Sequence, residues 1–576
     1  MSRVIAEHRL RSPVAQSYRQ RGLWPGVTLG ESWARTVRAR GDAIALVDGD
    51  LELSFTELAR GVAALAKGLS TLGVRAGDAV AYQLPNWWEA AATLLATVSL
   101  GAHAVPIVPI LRGREVAVIL RQTRPRVVVV PDEHRGVDYP AQTKGALAAV
   151  RHEAKLVVVR PTRALARDAT PFAELLRTPP ARDAVPRTAA ATDTTTHAAP
   201  TDATTNAAPP SPAAVDPDAL AVIIYTSGST AEPKGAMHTH QTLTAELRSL
   251  VAAHGLSPSD RVLMPSPLTH VSGVIHGILA PALLGTSAVL EERWDPGRAL
   301  RDVERHRVTY MIGAPTFLQE MLAHPDVGTR DLSSLRLFSC GGASVAPELM
   351  RAGRARIPGM VTKRSYGSSE FPTIATAGVE DALAHGLDTE GRALAGVEIR
   401  ITDADGRELP PGREGEIRAR GPDCFLGYVD AALDAESFDD DGFFRTGDLG
   451  VLDEGGLLRV TGRVKDIIVR KGEKISAREV EDLLLEHPAI AAAALIPLAD
   501  PATGERACAC VQPAAGAEPP TLEQVVAFLR ARDLTPQKLP EQLEVVHEFP
   551  RTPSGKIHKR LLRETIERRV ADRAER

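Results

Sequence analysis

The stretch Tyr225-Thr-Ser-Gly-Ser-Thr-Ala-Glu-Pro-Lys234-Gly-Ala-Met-His-Thr-His240 concentrates hydroxyls, a glycine and a lysine in a single loop. Thr226, Ser227, Ser229 and Thr230 offer hydroxyl donors, Gly228 admits a ligand close to the backbone, and Lys234 adds a positive point charge. A polyphosphate, with its many oxygens, suits such a set of backbone N–H groups, hydroxyls and a cation. A P-loop is excluded: that motif places a hydroxyl residue after its lysine to reach magnesium, and here Lys234 is followed by Gly235. A polar surface turn uses the same residue types, so the reading depends on what the rest of the chain offers.

Further segments offer complementary chemistry. Phe338-Ser-Cys340-Gly341-Gly342-Ala343-Ser344 ends a strand-like run on two glycines, against which a flat ring can lie. Arg364-Ser-Tyr366-Gly367-Ser368-Ser369-Glu370 ends on a carboxylate that, taken alone, would read as a surface residue. Phe443-Phe-Arg-Thr-Gly447-Asp448-Leu449 and Thr461-Gly-Arg463-Val-Lys465-Asp466 supply an acid and a base that, taken separately, would read as an ordinary ion pair. Pro550-Arg-Thr-Pro-Ser-Gly555-Lys556-Ile557 carries a further lysine. In Met264-Pro-Ser-Pro267-Leu-Thr-His270-Val-Ser-Gly273 the only titratable group is His270. With Val271, Gly273, Val274, Ile275, Gly313, Ala314 and Thr316 it suits an uncharged acyl or ring group. No Asp stands at its start to bind an amino acid's ammonium.

In this order the segments resemble the motifs of the AMP-forming adenylating enzymes, which include acyl- and aryl-CoA ligases, peptide-synthetase adenylation domains and firefly-type luciferases. Two positions depart from the family pattern: Ala231 stands where glycine is usual, and Ser369 replaces threonine but keeps the hydroxyl. The resemblance implies that Thr226, Ser227, Gly228, Ser229, Thr230 and Lys234 hold the phosphates. It implies an adenine site at Gly341, Gly342 and Ala343, and a nucleotide site at Tyr366, Gly367, Ser368, Ser369, Asp448 and Arg463, with Asp448 on the ribose hydroxyls. Glu370 and Thr226 take the magnesium side, Lys556 acts in adenylation, and His270 gates the acyl pocket beside Val271, Gly273, Gly313 and Ala314. Lys465 is the hinge, and Lys471 and Gly472 line the path of coenzyme A in a segment that swings in for thioester formation. The implied activity is an acid–thiol ligase joining a hydrophobic carboxylic acid to coenzyme A through acyl-AMP, with ATP, Mg2+ and coenzyme A as cofactor and co-substrates. Loading of a carrier-protein phosphopantetheine, or catalysis of one half-reaction only, stays open at this point. Dimers are common in the family, so a homodimer is among the states it allows. The start, Tyr18-Arg-Gln-Arg-Gly-Leu-Trp24, looks most like members activating aryl and alicyclic acids.

The elements that must position these residues are those of an α/β chain. Leu220-Ala-Val-Ile-Ile224 reads as a buried strand before the phosphate loop. Phe55 to Leu72 has helical spacing, while Ala79 to Leu84 and Val127 to Val130 read as strands, an alternation that argues for layered α/β subdomains. A second such pass runs from Asp218 to about Val345. Gly396-Val-Glu-Ile-Arg-Ile-Thr402 alternates with period two before the turn signal Asp405-Gly406, opening a β-rich subdomain. The expected division is a large domain over 1–462 and a small mobile α+β domain over 463–576. Residues 188–212 are almost only Ala, Thr, Pro, Asp and Asn and read as a disordered low-complexity insertion.

At 576 residues the chain exceeds one ordinary core, and a net charge of -4 gives no sign of a nucleic-acid partner. Four scattered cysteines make no disulfide framework, and Cys508 and Cys510, alternating in an apolar strand, read as core. The N-terminus lacks a signal-peptide apolar region. Ala90 to Leu111 holds no charged residue, yet Pro106, Pro109 and its small residues fit a buried helix running through Gly101 into a strand better than a membrane span. The chain therefore reads as cytoplasmic. The basic last helix, from Lys559, reads as a solvated face.

Overall fold

The computed structural model describes residues 9–177, 215–226, 232–342, 345–470, 473–500, 504–551 and 556–574. The insertion at 188–212 lies outside them. So do Ser227, Gly228, Ser229, Thr230 and Ala231 of the first loop, and Ala343, Lys471 and Gly472.

Among the described residues the large part of the chain is built on two mainly parallel sheets, of nine and seven strands. The seven-stranded sheet centres on Ala79–Tyr82, His103–Pro106 and Val127–Pro131, whose valine-rich runs are buried as parallel strands between helices require. The nine-stranded sheet centres on Arg261–Met264, Tyr310–Gly313, Leu337–Gly341 and Val361–Tyr366. The two passes read from the sequence exchange strands. Ile44–Asp48 pairs in parallel with Ser287–Leu290 in the nine-stranded sheet, and Leu220–Thr226 pairs in parallel with His103–Pro106 in the seven-stranded one. The two sheets thus share one large apolar core, which includes Leu65, Val80, Leu94, Ile224, Leu279 and Tyr310. The uncharged stretch from Ala90 forms the helix Trp88–Ser99 and then the strand His103–Pro106, joined through Gly101 at φ +72°. No helix of the described residues is long and apolar enough to cross a membrane.

A four-stranded antiparallel sheet follows, in the order Glu398–Thr402, Glu414–Arg420, Phe444–Leu452 and Leu458–Arg463. The turn expected at Asp405-Gly406 is present: the Gly406 N–H donates to Asp403 O at 3.1 Å, and Gly406 takes φ +84°. One 3-10 turn, Val464–Asp466, leads from this sheet into the C-terminal part. There a five-stranded sheet carries the helices Ala477–Leu484, Leu522–Arg530 and Lys559–Ala574. Cys508 and Cys510 point to one side of the strand Gly504–Pro513 and are buried with Phe549, Leu562 and Ile566. The last helix is therefore anchored through Leu562 and Ile566, with Lys559 at its start half-buried against Glu481 at 2.8 Å, while Arg560, Glu564, Glu567 and Arg568 are exposed.

Candidate active site

The first loop closes a hairpin: Leu220–Thr226 pairs antiparallel with Lys234–Thr239, bringing Tyr225 opposite Gly235 and Thr226 opposite Lys234. Gly235 is needed there. A Cβ on it would stand 2.7 Å from Tyr225 Cζ, so the tyrosine ring lies across the glycine. Tyr225 is buried and its hydroxyl donates to Gln122 Oε1 at 2.8 Å, which fixes the strand end that presents Thr226.

Lys234 holds its ammonium 5.5 Å from the centre of the Tyr428 ring. The Tyr428 hydroxyl donates to Glu370 Oε1 at 2.7 Å. Lys234, Tyr428 and Glu370 therefore form one cationic and acidic edge around an aromatic spacer. Tyr428 escaped the sequence reading; its only signal is a Gly-Tyr pair in the uncharged run Cys424–Val429. Gly427 before it takes φ +137°, and a Cβ there would lie 2.4 Å from an Asp434 oxygen, so that glycine is demanded by the turn.

The segment from Tyr366 to Thr373 doubles back on itself. A Cβ on Gly367 would stand 2.0 Å from Pro372 O, so the reversal admits only glycine. Ser368 Oγ accepts from the N–H groups of Glu370 and Phe371, both at 3.2 Å. The buried His238 is paired through Nε2 with Ser369 O at 2.8 Å, and burial holds its imidazole down at about 4. His238 is therefore a neutral donor that braces this turn, and Ser369 is itself nearly buried.

Tyr366 donates its hydroxyl to Asp448 Oδ2 at 2.8 Å, and Arg463 Nε meets Asp448 Oδ1 at 2.8 Å. Asp448 and Arg463 are cross-strand partners in the four-stranded sheet, so their pairing follows from its register. Gly341 closes the strand Leu337–Gly341 against Ser365, whose carbonyl would lie 2.8 Å from a Cβ at 341. Gly342 adopts φ +79°, and its open side faces Lys556, whose Cε would be 3.4 Å from a Cβ there. Lys556 thus reaches from the C-terminal part to the glycine turn of the large part. Burial, then the Arg463 charge, brings its ammonium down to about 8, against the opposing pull of Asp448 and Glu370. Lys465 lies exposed on the connecting turn.

His270 is half-buried near Lys556, and burial first and that ammonium second hold its imidazole at about 4. The Ser272 N–H, which can only donate, points to His270 Nδ1 at 3.5 Å, with Ser272 Oγ at 3.4 Å. Nδ1 is thereby the acceptor, leaving the proton on Nε2. After His270 the chain enters a buried π-helical segment, Gly273–Leu279, a form that often marks functional sites. Val271, Val274 and Ile275 join the large core, while His270, Ser272, Ile312 and Phe317 keep partial exposure. Gly313 is filled from one side by Phe317, 2.7 Å from the position of a Cβ, and Ala314 beside it is buried.

Gly273 is the tightest point of this wall: a Cβ would stand 2.0 Å from Pro267 O and 2.6 Å from Leu268 Cα. Gly273→Ala is expected to force the backbone apart and cost about 1–3 kcal/mol. A lower thermal midpoint would show it; an unchanged midpoint would mean the segment yields freely.

The sequence-predicted residues Thr226, Lys234, Gly341, Gly342, Tyr366, Glu370, Asp448, Arg463, His270 and Lys556 are thus presented by strand ends and turns of three units. The model of the AMP-binding enzyme family matches residues 33–429, and that of the AMP-binding enzyme C-terminal domain matches residues 479–556. The chain is 36% identical over 559 residues to a medium-chain fatty-acid–CoA ligase of Escherichia coli, covering 96% of this chain and 93% of that protein. It is 34% identical over 559 residues to a salicylyl-CoA synthase / salicylate adenylyltransferase of a Streptomyces species, with 96% of each chain covered. Among solved structures it resembles ATP-bound MatB from Rhodopseudomonas palustris, with a TM-score of 0.79 and 26% identity over 94% of this chain and 99% of that one. The TM-score to the same protein in its apo form is 0.68.

Proposed function

Because the chain belongs to the AMP-binding enzyme family, we propose that it is an ATP-dependent acid–thiol ligase for hydrophobic aliphatic or aryl carboxylic acids. In the first step a carboxylate oxygen bonds to the α-phosphorus of ATP as the bond to pyrophosphate breaks, giving acyl-AMP. In the second the thiol of coenzyme A, having lost its proton to solvent, bonds to the acyl carbon and AMP leaves. The observation that carries this reading is the approach of Lys556 to the Gly342 turn, with His270, Asp448 and Arg463 all within reach of its charge. A cation there meets the two negative groups that adenylation must bring together.

The remaining groups take roles consistent with their surroundings. His270 is uncharged at neutral pH, so the cation facing an incoming carboxylate is Lys556, while the Nε2–H of His270 can donate to a carboxylate oxygen. Asp448 receives the ribose hydroxyls, and Lys234 with the first loop receives the outer phosphates. The donor set at Glu370 and Thr226, one carboxylate and one hydroxyl, fits magnesium carried mostly by phosphate oxygens and water. When bound, that ion would offset charge on the phosphate oxygens. Ile312, Phe317, Gly313 and Ala314 offer an uncharged wall to the acyl group. Lys465 on its exposed turn is the hinge about which the C-terminal part, residues 463–576, turns between the steps. A cytoplasmic location would give the enzyme access to both ATP and coenzyme A.

The test is a panel of hexanoate to dodecanoate, ferulate and salicylate with ATP and coenzyme A, with pyrophosphate and thioester products measured. Pyrophosphate release requiring both ATP and an acid, with formation of the corresponding acyl-CoA, is expected. Release without acid dependence would remove the ligase reading. Acid-dependent release with no acyl-CoA would move the acceptor to a carrier-protein phosphopantetheine, tested by adding such a carrier.

A further inference from the structure

Glu390 lies buried at the seam between the large part of the chain and the C-terminal part. Its own N–H donates to Leu458 O at 2.8 Å and its Oε2 accepts from the Val460 N–H at 2.8 Å, so strand Leu458–Arg463 holds it rigidly. Oε1 faces two arginines. Arg364 Nη1 comes from strand Val361–Tyr366 at 3.6 Å, and Arg478 Nη2 comes across the seam from helix Ala477–Leu484 at 3.1 Å. Arg478 has a second acid on its own helix, Asp482, at 3.5 Å from Nε. The side chains of Glu390, Arg364 and Arg478 are only 5%, 6% and 15% exposed.

We propose that Arg478 and Glu390 are positioning residues that hold the C-terminal part where Lys556 reaches the adenylation site, and that their ion pair opens for the thioester step. This rests on the reading of the chain as a two-step ligase. The charges argue for a pair built to open. A buried ion pair that loses one partner leaves an uncompensated charge, which is strongly unfavourable. Here each side keeps a counter-ion of its own: Arg364 stays with Glu390, and Asp482 travels with Arg478. Separation therefore leaves two neutral pairs. Two further polar contacts across the seam are of a kind water can replace: the Ser476 hydroxyl on Thr461 O at 2.6 Å and the Gln319 amide on Ala491 O at 3.3 Å. Helix Ala477–Leu484 and the strand Ile490–Asp500 share one core, and Ile557 and Leu562, just after Lys556, pack with Ala494, Ile496 and Leu498 of the same strand. The place of Arg478 is thus transmitted to Lys556 through a packed unit.

The experiment separates the two half-reactions in the full-length protein. Acid-dependent ATP–pyrophosphate exchange reports adenylation, and thioester formation from the supplied adenylate of the same acid reports the second step. The acid is the best of the panel above. Arg478→Ala and Glu390→Gln are each expected to lower exchange about tenfold while the supplied-adenylate reaction rises severalfold, since weakening one of two states shifts their populations in opposite directions. Arg478→Lys, which keeps the charge, is expected to recover part of the exchange. Loss of both half-reactions together, or no change in either, overturns the proposal. If Arg478→Ala fails to fold, Glu390→Gln and Arg478→Lys decide by the same two readouts. If the wild-type protein shows no acid-dependent exchange, the ligase reading itself has failed, and that outcome is distinct from a failure of the latch.

Discussion

Lys556→Ala is expected to lower acid-dependent pyrophosphate release by about 10²–10³-fold, the scale of removing one group aimed at transition-state charge. Thioester formation from a supplied acyl-adenylate should continue, because the carboxylate has by then already met the phosphate. The expectation follows from placement. Lys556 stands against the φ +79° turn of Gly342, close enough to His270 to depress its imidazole, and its own ammonium feels Arg463, Asp448 and Glu370. No neutral side chain at 556 could counter two approaching anions. The pH profile gives an independent reading. Burial and Arg463 bring the ammonium from its ordinary 10.5 to about 8 in the free protein. The charged form is the active one, so kcat/KM for adenylation should fall as pH rises through about 8. Bound ATP adds negative charge beside the lysine and favours its ammonium, so kcat at saturating ATP should fall only at higher pH. A profile flat through pH 8 to 9, or equal loss of both half-reactions in Lys556→Ala, would remove the role given to this residue.

What was legible in the sequence divides along physical lines. The strand before the first loop was readable because its signals are local, a β-branched run ending on hydroxyls and glycine, whereas its return as a hairpin onto Lys234–Thr239 was not. The Asp448–Arg463 pair was readable as two motifs, and strand register made it a contact. Groups joined only by tertiary folding were not. Tyr428 touches Glu370 and Lys234 across stretches of chain that no local pattern connects. Nor does sequence say that Ile44–Asp48 and Leu220–Thr226 exchange sheets, since each reads simply as a buried strand. Glu390 is the sharpest case. In Asp388-Thr-Glu-Gly391 it looks like an exposed turn acid, yet the fold buries it between two arginines. The histidines of the first motif show the reverse. Beside a phosphate loop His238 invites a catalytic reading, but burial and its bond to Ser369 O make it a brace.

Asp448→Ala is expected to raise the KM for ATP by about 10- to 100-fold, the equivalent of roughly 1.5–3 kcal/mol for lost hydrogen bonds to a charged group. A carboxylate offers about four acceptor positions, and Tyr366 and Arg463 occupy one on each oxygen here. A ribose presents two hydroxyls to the acceptor positions that these two partners do not use. The neighbours matter as much as the acid. The Tyr366 hydroxyl and the Arg463 guanidinium hold the carboxylate in one orientation, so it meets the sugar without first being ordered. The register of Phe444–Leu452 against Leu458–Arg463 sets that orientation in turn. A comparison with 2′-deoxy-ATP separates ribose recognition from a general disturbance of the site. The wild-type protein should lose affinity for the deoxynucleotide, whereas Asp448→Ala should scarcely distinguish it from ATP, since the partner of the missing hydroxyl is already gone. Equal discrimination by both proteins would mean that Asp448 serves only to hold Tyr366 and Arg463, and the ribose contact would have to be sought elsewhere on the turn that begins at Tyr366.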